Sequence, residues 1–208
     1  SDSDTLVLYD DQGGVNAARL WWVLRMYGFN HARLLNGGLQ SWKDVRGPLG
    51  SQWEPLPANR FEFPPKEALY LRIDKDALAS LMSGEDWTLI DARTAEEYSG
   101  KRMKKGAQRA GHIPGSIHID WADAVDYHGT KKFLPPEKLQ AAYRELPKDK
   151  DAPVVVYCHS GVRSAHTSFV LTQLLGYNRV YNYDGSWLEW SSLEGAPIDK
   201  DSTTLILQ

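Results

Sequence analysis

The chain has 208 residues, 42% hydrophobic and 25% charged, with a formal charge of 24 − 27 = −3. This is the composition of an ordinary globular protein, which excludes a disordered chain. No stretch approaches the roughly 18 consecutive apolar residues of a membrane span, and the bulk charge gives no electrostatic case for nucleic acid.

In chain order, residues 6–9 are an apolar run read as a strand. It begins so early that the chain reads as a processed or partial polypeptide. Asp10 and a Gly-containing loop lead into a helical pattern over 17–24, followed by Gly28, a short apolar run, Asn36-Gly37-Gly38 and Trp42. Residues 47–67, with Gly47, Pro48, Gly50, Pro55, Pro57, Pro64 and Pro65, read as a linker. Residues 69–73 are predicted as an edge strand, and Asp74 caps a helix over 75–82. Residues 87–91 form a short buried strand, and 116–119 another after the turn Pro114-Gly115. Pro136 opens a helix over 137–146. Val154–Tyr157 is a continuous apolar run, expected of a strand buried on both faces of a parallel sheet. A helix over 164–175, Gly176, Val180-Tyr181, Asp184-Gly185 and Trp190 complete the pattern.

The two ends repeat one another. Tyr9 and Tyr157, Asp10 and Cys158, Gly28 and Gly176, Gly37 and Gly185, Trp42 and Trp190 are each separated by 148 positions (157 − 9 = 190 − 42 = 148). Residues 1–46 therefore read as the C-terminal part of one unit and 68–208 as a whole second unit, each of α/β open-sheet type. Trp42 and Trp190, at equivalent positions, are expected in the core, and Trp187 is read as packing. The first unit lacks a front half. Its strand is expected to want neighbours, and its helix with Trp21 and Trp22 to expose apolar surface. An associated N-terminal fragment, or another chain, is expected to complete it.

Cys158 is the only cysteine, which excludes an intramolecular disulfide and a multi-cysteine zinc site. It follows the predicted central strand, where ligands bind in open α/β sheets. The loop's N–H groups and the positive end of the next helix would stabilise a thiolate there. Gly161 permits a backbone conformation closed to other residues. A buried, inert cysteine is the alternative.

Cys158-His159-Ser160-Gly161-Val162-Arg163-Ser164 resembles the active-site loop of the rhodanese family, the thiosulfate and 3-mercaptopyruvate sulfurtransferases. Asp91-Ala92-Arg93 with Glu96-Glu97-Tyr98, Gly111-His112-Ile113-Pro114-Gly115-Ser116, and Tyr183-Asp184-Gly185-Ser186 with Trp190 resemble further motifs of the family. The resemblance implies an αβα domain around a central parallel sheet, preceded by the C-terminal half of a degenerate copy. It implies a ping-pong sulfurtransferase in which Cys158 carries a persulfide, His159 to Ser164 bind it, and no cofactor or metal is used. The implied partners are a small anionic donor and a cyanide or thiol acceptor, without nucleic acid or membrane, in the cytoplasm.

Four residues separate Cys158 from Arg163, where the related phosphatase loop has five, so a cysteine phosphatase is the lesser enzyme reading. A persulfide relay to a partner protein is the non-enzymatic one. Glu97 stands where the mercaptopyruvate branch carries an Arg, and that branch lacks Arg163, so thiosulfate is the first donor expected. Asp91, Arg93 and His112 are read as structural support, and His166 as non-catalytic. His159 either faces substrate or does not. Arg102, Lys105 and Arg109, within the run Lys101, Arg102, Lys104, Lys105, Arg109, are read as an anion-attracting rim, with a solvated loop as the alternative. In the first copy, Asp10 replaces Cys158 and Val15 replaces Arg163, so that copy cannot hold a persulfide.

Overall fold

The computed structural model describes residues 4–52, 55, 71–84 and 87–201. Strands β1 (Leu6–Leu8) and β2 (Ala32–Leu34), with helices α1 (Val15–Met26) and α2 (Gly38–Asp44), make a first lobe. The second lobe runs β3 (Arg72–Ile73), α3 (Lys75–Leu81), β4 (Thr88–Asp91), α4 (Ala95–Tyr98), β5 (Ser116–His118), α5 (Pro136–Ala142), β6 (Val154–Tyr157), α6 (Val162–Phe169), β7 (Val180–Tyr183) and α7 (Ser186–Trp190). Its five strands are all parallel, in the order β3-β7-β6-β4-β5, and β1 pairs with β2 in parallel. This is an α/β architecture with a central parallel sheet.

The Val-Val-Val-Tyr run of β6 lies in the middle of the sheet with every residue buried. Its side chains alternate between two cores, as the two-residue period of a strand requires. Val154 and Val156 pack with Ile90, Leu139 and Leu171 on one face; Val155 and Tyr157 pack with Leu78, Leu89 and Trp187 on the other. Local signals set the helix starts. Asp74 accepts the Ala77 N–H, Pro136 stands in the first turn of α5, and Thr94 and Glu97 form a capping box at α4.

Some boundaries differ from expectation. The helix predicted over 137–146 ends at Ala142. The one predicted over 164–175 begins at Val162, and past Phe169 it widens into a π-helical turn, Val170–Leu174. The described part of the edge strand is Arg72–Ile73; residues 69 and 70, and most of the 47–67 linker, lie outside the described residues. Among the described residues no helix is long and apolar enough to cross a membrane.

The 148-residue offset carries over to the strand register. Leu6 pairs with Ala32 as Val154 pairs with Val180, and Leu8 with Leu34 as Val156 with Asn182. The repeat slips at the loops: Gly13 and Gly14 both take positive φ before α1, whereas Gly161 alone does so before α6. Helix α6 therefore starts one residue earlier in its repeat than α1.

The lobes join through α1 and α6. Trp21 meets Phe169 edge-on at 5.0 Å, and Trp22 packs with Ala18 and Ala165 in the same cluster. This corrects the expectation for the Trp21/Trp22 helix: both rings are buried, because α6 of the second lobe covers them. The expectation for Trp42 is corrected too. It is 38% exposed and donates to the Pro48 carbonyl, while its counterpart Trp190 is buried and donates to the Pro197 carbonyl. Apolar surface remains on the outer side of the first lobe. Val7 is 59% and Tyr9 58% exposed, and with Leu35, Leu39, Trp42 and Leu49 they line a groove of about 400 Å³.

Candidate active site

Cys158 emerges from the C-terminal end of β6 and is 1% exposed. Its surroundings follow from where the loop's carbonyls go. Cys158 and His159 offer theirs to the N–H groups of Trp187 and Leu188 in the first turn of α7, at 3.0 Å each. Gly161 offers its carbonyl to the Ala165 N–H inside α6 and to Asn182 Nδ2 on β7. A trans peptide points its N–H opposite to its carbonyl, so carbonyls drawn outward leave amides facing the sulfur. Gly161, at φ +81°, makes this turn possible, and a Cβ there would strike Asp184.

Burial alone would push the Cys158 thiol up. The Arg163 charge, the Ser164 hydroxyl 3.5 Å from Sγ, and the Ser164 and Ser160 amides outweigh it and hold the thiol below its ordinary range. Arg163 does not swing outward. Its guanidinium grips Glu97 with two bonds of 2.6 and 2.9 Å, and this pair is largely removed from solvent. Burial opposes ionisation of Glu97, yet Arg163 and the Thr94 N–H bring its carboxyl down to about 2. In turn, burial works against the Arg163 charge, and Glu97 with the Cys158 sulfur more than restores it.

The other residues singled out in the sequence fall into two groups. Asp91 and Arg93 are a buried fork under the site: Arg93 bonds Asp91 through Nε and Nη2, donates to the Gly111 carbonyl at 2.7 Å, and lies 4.5 Å from the Trp187 ring. His112 stacks on Tyr98 at 3.8 Å and bonds its carbonyl through Nδ1, which fixes the turn before β5. His159 turns its Nε2 to the Lys105 carbonyl and is largely buried. Burial, then the Lys104 charge, pull its imidazole below the usual range.

Lys101, Arg102, Lys104 and Lys105 are exposed. Arg109 is not part of that rim, which corrects the sequence reading. Its guanidinium donates to the carbonyls of Trp190, Ser191, Leu193 and Ala196 at 2.8–3.2 Å, tying off the end of α7. Trp187 is fully buried and donates to the Arg109 carbonyl. Among the described residues no group of three or more His, Cys, Asp or Glu side chains is placed to share a metal ion.

Ser186 stands in the sequence only as the end of the Tyr183-Asp184-Gly185-Ser186 motif, with no role assigned, and it pins the loop. Its buried hydroxyl accepts the N–H groups of Cys158 (3.2 Å) and Gly161 (3.1 Å) and donates to the Tyr183 carbonyl at 2.7 Å. It does so at φ +53°, a conformation that favours glycine. Ser186→Gly relieves about 1 kcal/mol of backbone strain but orphans two buried amides at about 1–3 kcal/mol each. The expected order of urea midpoints is wild type, then Ser186→Gly, then Ser186→Ala; a glycine variant more stable than wild type would refute the hydroxyl's role.

The first lobe shows the same loop in another use. Asp10, at the Cys158 position, receives the Gln12 and Gly14 amides on Oδ1 and the Asn16 and Ala17 amides on Oδ2, all at 2.8–3.0 Å. Gln12 and Asn16 are the counterparts of Ser160 and Ser164, whose amides act on Cys158 (160 − 12 = 164 − 16 = 148).

Known proteins are similar to this chain over nearly its whole length. A sulfur carrier protein, TtuD, of Thermus thermophilus is 40% identical over 96% of this chain and 72% of its own length. A thiosulfate sulfurtransferase of Corynebacterium glutamicum is 37% identical over 97% of this chain and 68% of its own. Among solved structures, an EanB variant in complex with ergothioneine superposes with a TM-score of 0.85 over 96% of this chain at 24% identity. This chain spans 52% of that one, and the likeness shows the fold. The family model described as rhodanese-like domain matches residues 1–45 and 74–193, taking in both the Asp10 loop and the Cys158 loop, and so the chain belongs to the rhodanese-like family.

Proposed function

We propose that this chain is a sulfurtransferase of the thiosulfate class, with Cys158 as its sulfur carrier. The observation that carries the reading is the company the sulfur keeps: amides of Ser160 and Ser164, the Ser164 hydroxyl and the Arg163 cation. The Cys158 thiolate attacks the outer sulfur of thiosulfate. The S–S bond breaks and sulfite leaves with its electron pair, which puts a persulfide anion where those donors converge. Cyanide or a thiolate then attacks the outer sulfur, forming thiocyanate or a new persulfide and returning the Cys158 thiolate. His159 to Ser164 bind the transferred sulfur, no cofactor takes part, and Asp91, Arg93 and His112 hold the frame. Glu97, where the mercaptopyruvate branch carries an Arg, and Arg163, which that branch lacks, favour thiosulfate over mercaptopyruvate as the donor. Arg102 and Lys105 are the exposed rim that attracts anionic donors. A cytoplasmic location fits a thiol that must stay reduced.

The experiment is the intact mass before and after thiosulfate, and then after cyanide. One sulfur gained and then removed is expected; no gain with thiosulfate, mercaptopyruvate or a persulfide donor overturns the reading. The sulfur carrier among the relatives favours a second reading, in which the persulfide passes to a partner protein. A persulfide that forms fully yet turns over negligibly with small acceptors would select it.

The first lobe contributes no nucleophile and serves as scaffold. Its exposed Val7 and Tyr9 and its groove support a covering polypeptide, either an N-terminal fragment of this protein or another chain, adding strands beside β1. Native mass spectrometry is expected to find an associated polypeptide or an oligomer. A stable, well-folded lone chain would sink this idea.

A further inference from the structure

The Gly161 carbonyl has a third partner that comes from the other lobe. Arg19, on α1, donates to it through Nη1 at 3.3 Å, across 142 residues of sequence. The same nitrogen meets Asp184 Oδ1 at 2.5 Å, and the guanidinium carbon lies 4.8 Å from the Trp22 ring. The side chain is therefore fixed from two sides before it reaches the loop.

The second lobe returns the contact. His166 on α6 donates from Nε2 to the carbonyl of Gly13 at 3.2 Å; Gly13 matches Gly161 by the sequence offset (161 − 13 = 148), while Gly14 opens α1 as Gly161 opens α6. His166 is fully buried between Trp121 and Phe133, and burial brings it to about 4, so it stays neutral at physiological pH. Each lobe's helix thus holds the loop carbonyl of the other. In the first lobe the held loop closes on the Asp10 carboxylate; in the second it closes on Cys158.

We infer that Arg19 is a positioning residue for the Cys158 loop, holding the Gly161 carbonyl in place so that the first turn of α6, with the Ser164 amide, stays turned to the sulfur. This rests on reading Cys158 as the nucleophile, and it gives the lobe without a cysteine a part in the chemistry. Arg19 touches neither sulfur nor donor; it acts through one peptide plane. The carbonyl it grips belongs to the residue whose φ of +81° makes the turn, the point where a small rotation most changes where the following amides aim.

The test is the rate of Cys158 alkylation by iodoacetamide as a function of pH, which needs no sulfur donor. Arg19→Met keeps a long apolar stem against Trp22 and removes every donor. The alkylation midpoint is expected to rise by about half a unit to one unit, with reactivity at neutral pH falling about three- to tenfold. His166→Ala removes the reciprocal contact; it is expected to lower the melting temperature and leave the midpoint alone. A folded Arg19→Met protein with the wild-type midpoint overturns the inference, and so does an equal shift in both variants, which would mean loosened lobes and nothing more. Should Arg19→Met not fold, Arg19→Lys decides. An ammonium serves Asp184 or Gly161 but not both in the same geometry, so a midpoint raised above wild type by up to about half a unit is expected, and a wild-type midpoint overturns the inference. A wild-type protein that takes no sulfur from any donor, while Arg19→Met still shifts its alkylation midpoint, would sink the sulfurtransferase reading and leave this one standing.

Discussion

Cys158→Ala is expected to abolish the thiosulfate-dependent mass gain and to bring thiocyanate formation to the uncatalysed background. Cys158→Ser is expected to do the same, since a hydroxyl in this site has neither the nucleophilicity nor the acidity of the thiol. The wild-type rate should follow the thiolate fraction. With the thiol held below its ordinary range, the rate rises with pH to a plateau whose midpoint lies below the value of an unperturbed thiol. A midpoint at or above that value would mean that burial outweighs the Arg163, Ser164 and Ser160 donors, contrary to the geometry. Residual turnover in Cys158→Ala, which has no other cysteine to substitute for it, would end the persulfide mechanism altogether.

Glu97 and Arg163 carry the second large effect, and here stability and reactivity separate. Glu97→Gln leaves the Arg163 guanidinium largely buried without its counter-charge, and the expected loss is about 3 kcal/mol in urea denaturation. Arg163→Leu strands the carboxylate and should destabilise comparably. The thiol responds in opposite directions. Without Glu97, the full Arg163 charge acts on Cys158 and the alkylation midpoint falls; without Arg163 it rises. The pH dependence follows from the carboxyl at about 2, against 4.5 for an ordinary Glu. The folded state binds the proton less readily than the unfolded state, so the pair's contribution is complete above about pH 4.5 and is lost as the pH falls towards about 2. In Glu97→Gln that portion of the acid transition is expected to vanish. A variant with the wild-type acid profile would show that other carboxylates govern acid unfolding.

Much of this was legible in the chain because the determinants are local. The apolar run 154–157, Asp74 as a cap, Pro136 as a helix start and the offset between the repeats each lie within one segment or between two copies of it. The capping box of Thr94 and Glu97 was not read from the sequence, and nothing nearby shows that the same Glu also holds Arg163, 66 positions on. What sequence reading missed depends on chain segments meeting in space. Ser186 reaches back 28 residues to the Cys158 amide, and Arg19 reaches 165 forward to Asp184. Arg109 misled for a related reason. In a run of cations it looks like its neighbours, and only the fold brings four carbonyls around it. Trp21 and Trp22 misled because the surface that covers them lies on the other lobe.

Asp10 has a consequence for how sulfur is loaded. Its carboxylate spreads one negative charge over two atoms beyond the Cβ, and the loop around it is complete without any ligand. The two amides that both loops share, Gln12 and Asn16 on one side and Ser160 and Ser164 on the other, therefore already point at an anion's place. In one lobe the amides close on a carboxylate, where in the other they face a charge that moves from Sγ to the outer sulfur and back at each turnover. The backbone that receives a sulfur atom on Cys158 is built in its charged arrangement beforehand, so little of the energy of transfer goes into turning dipoles, and the loop can empty and refill as a rigid object.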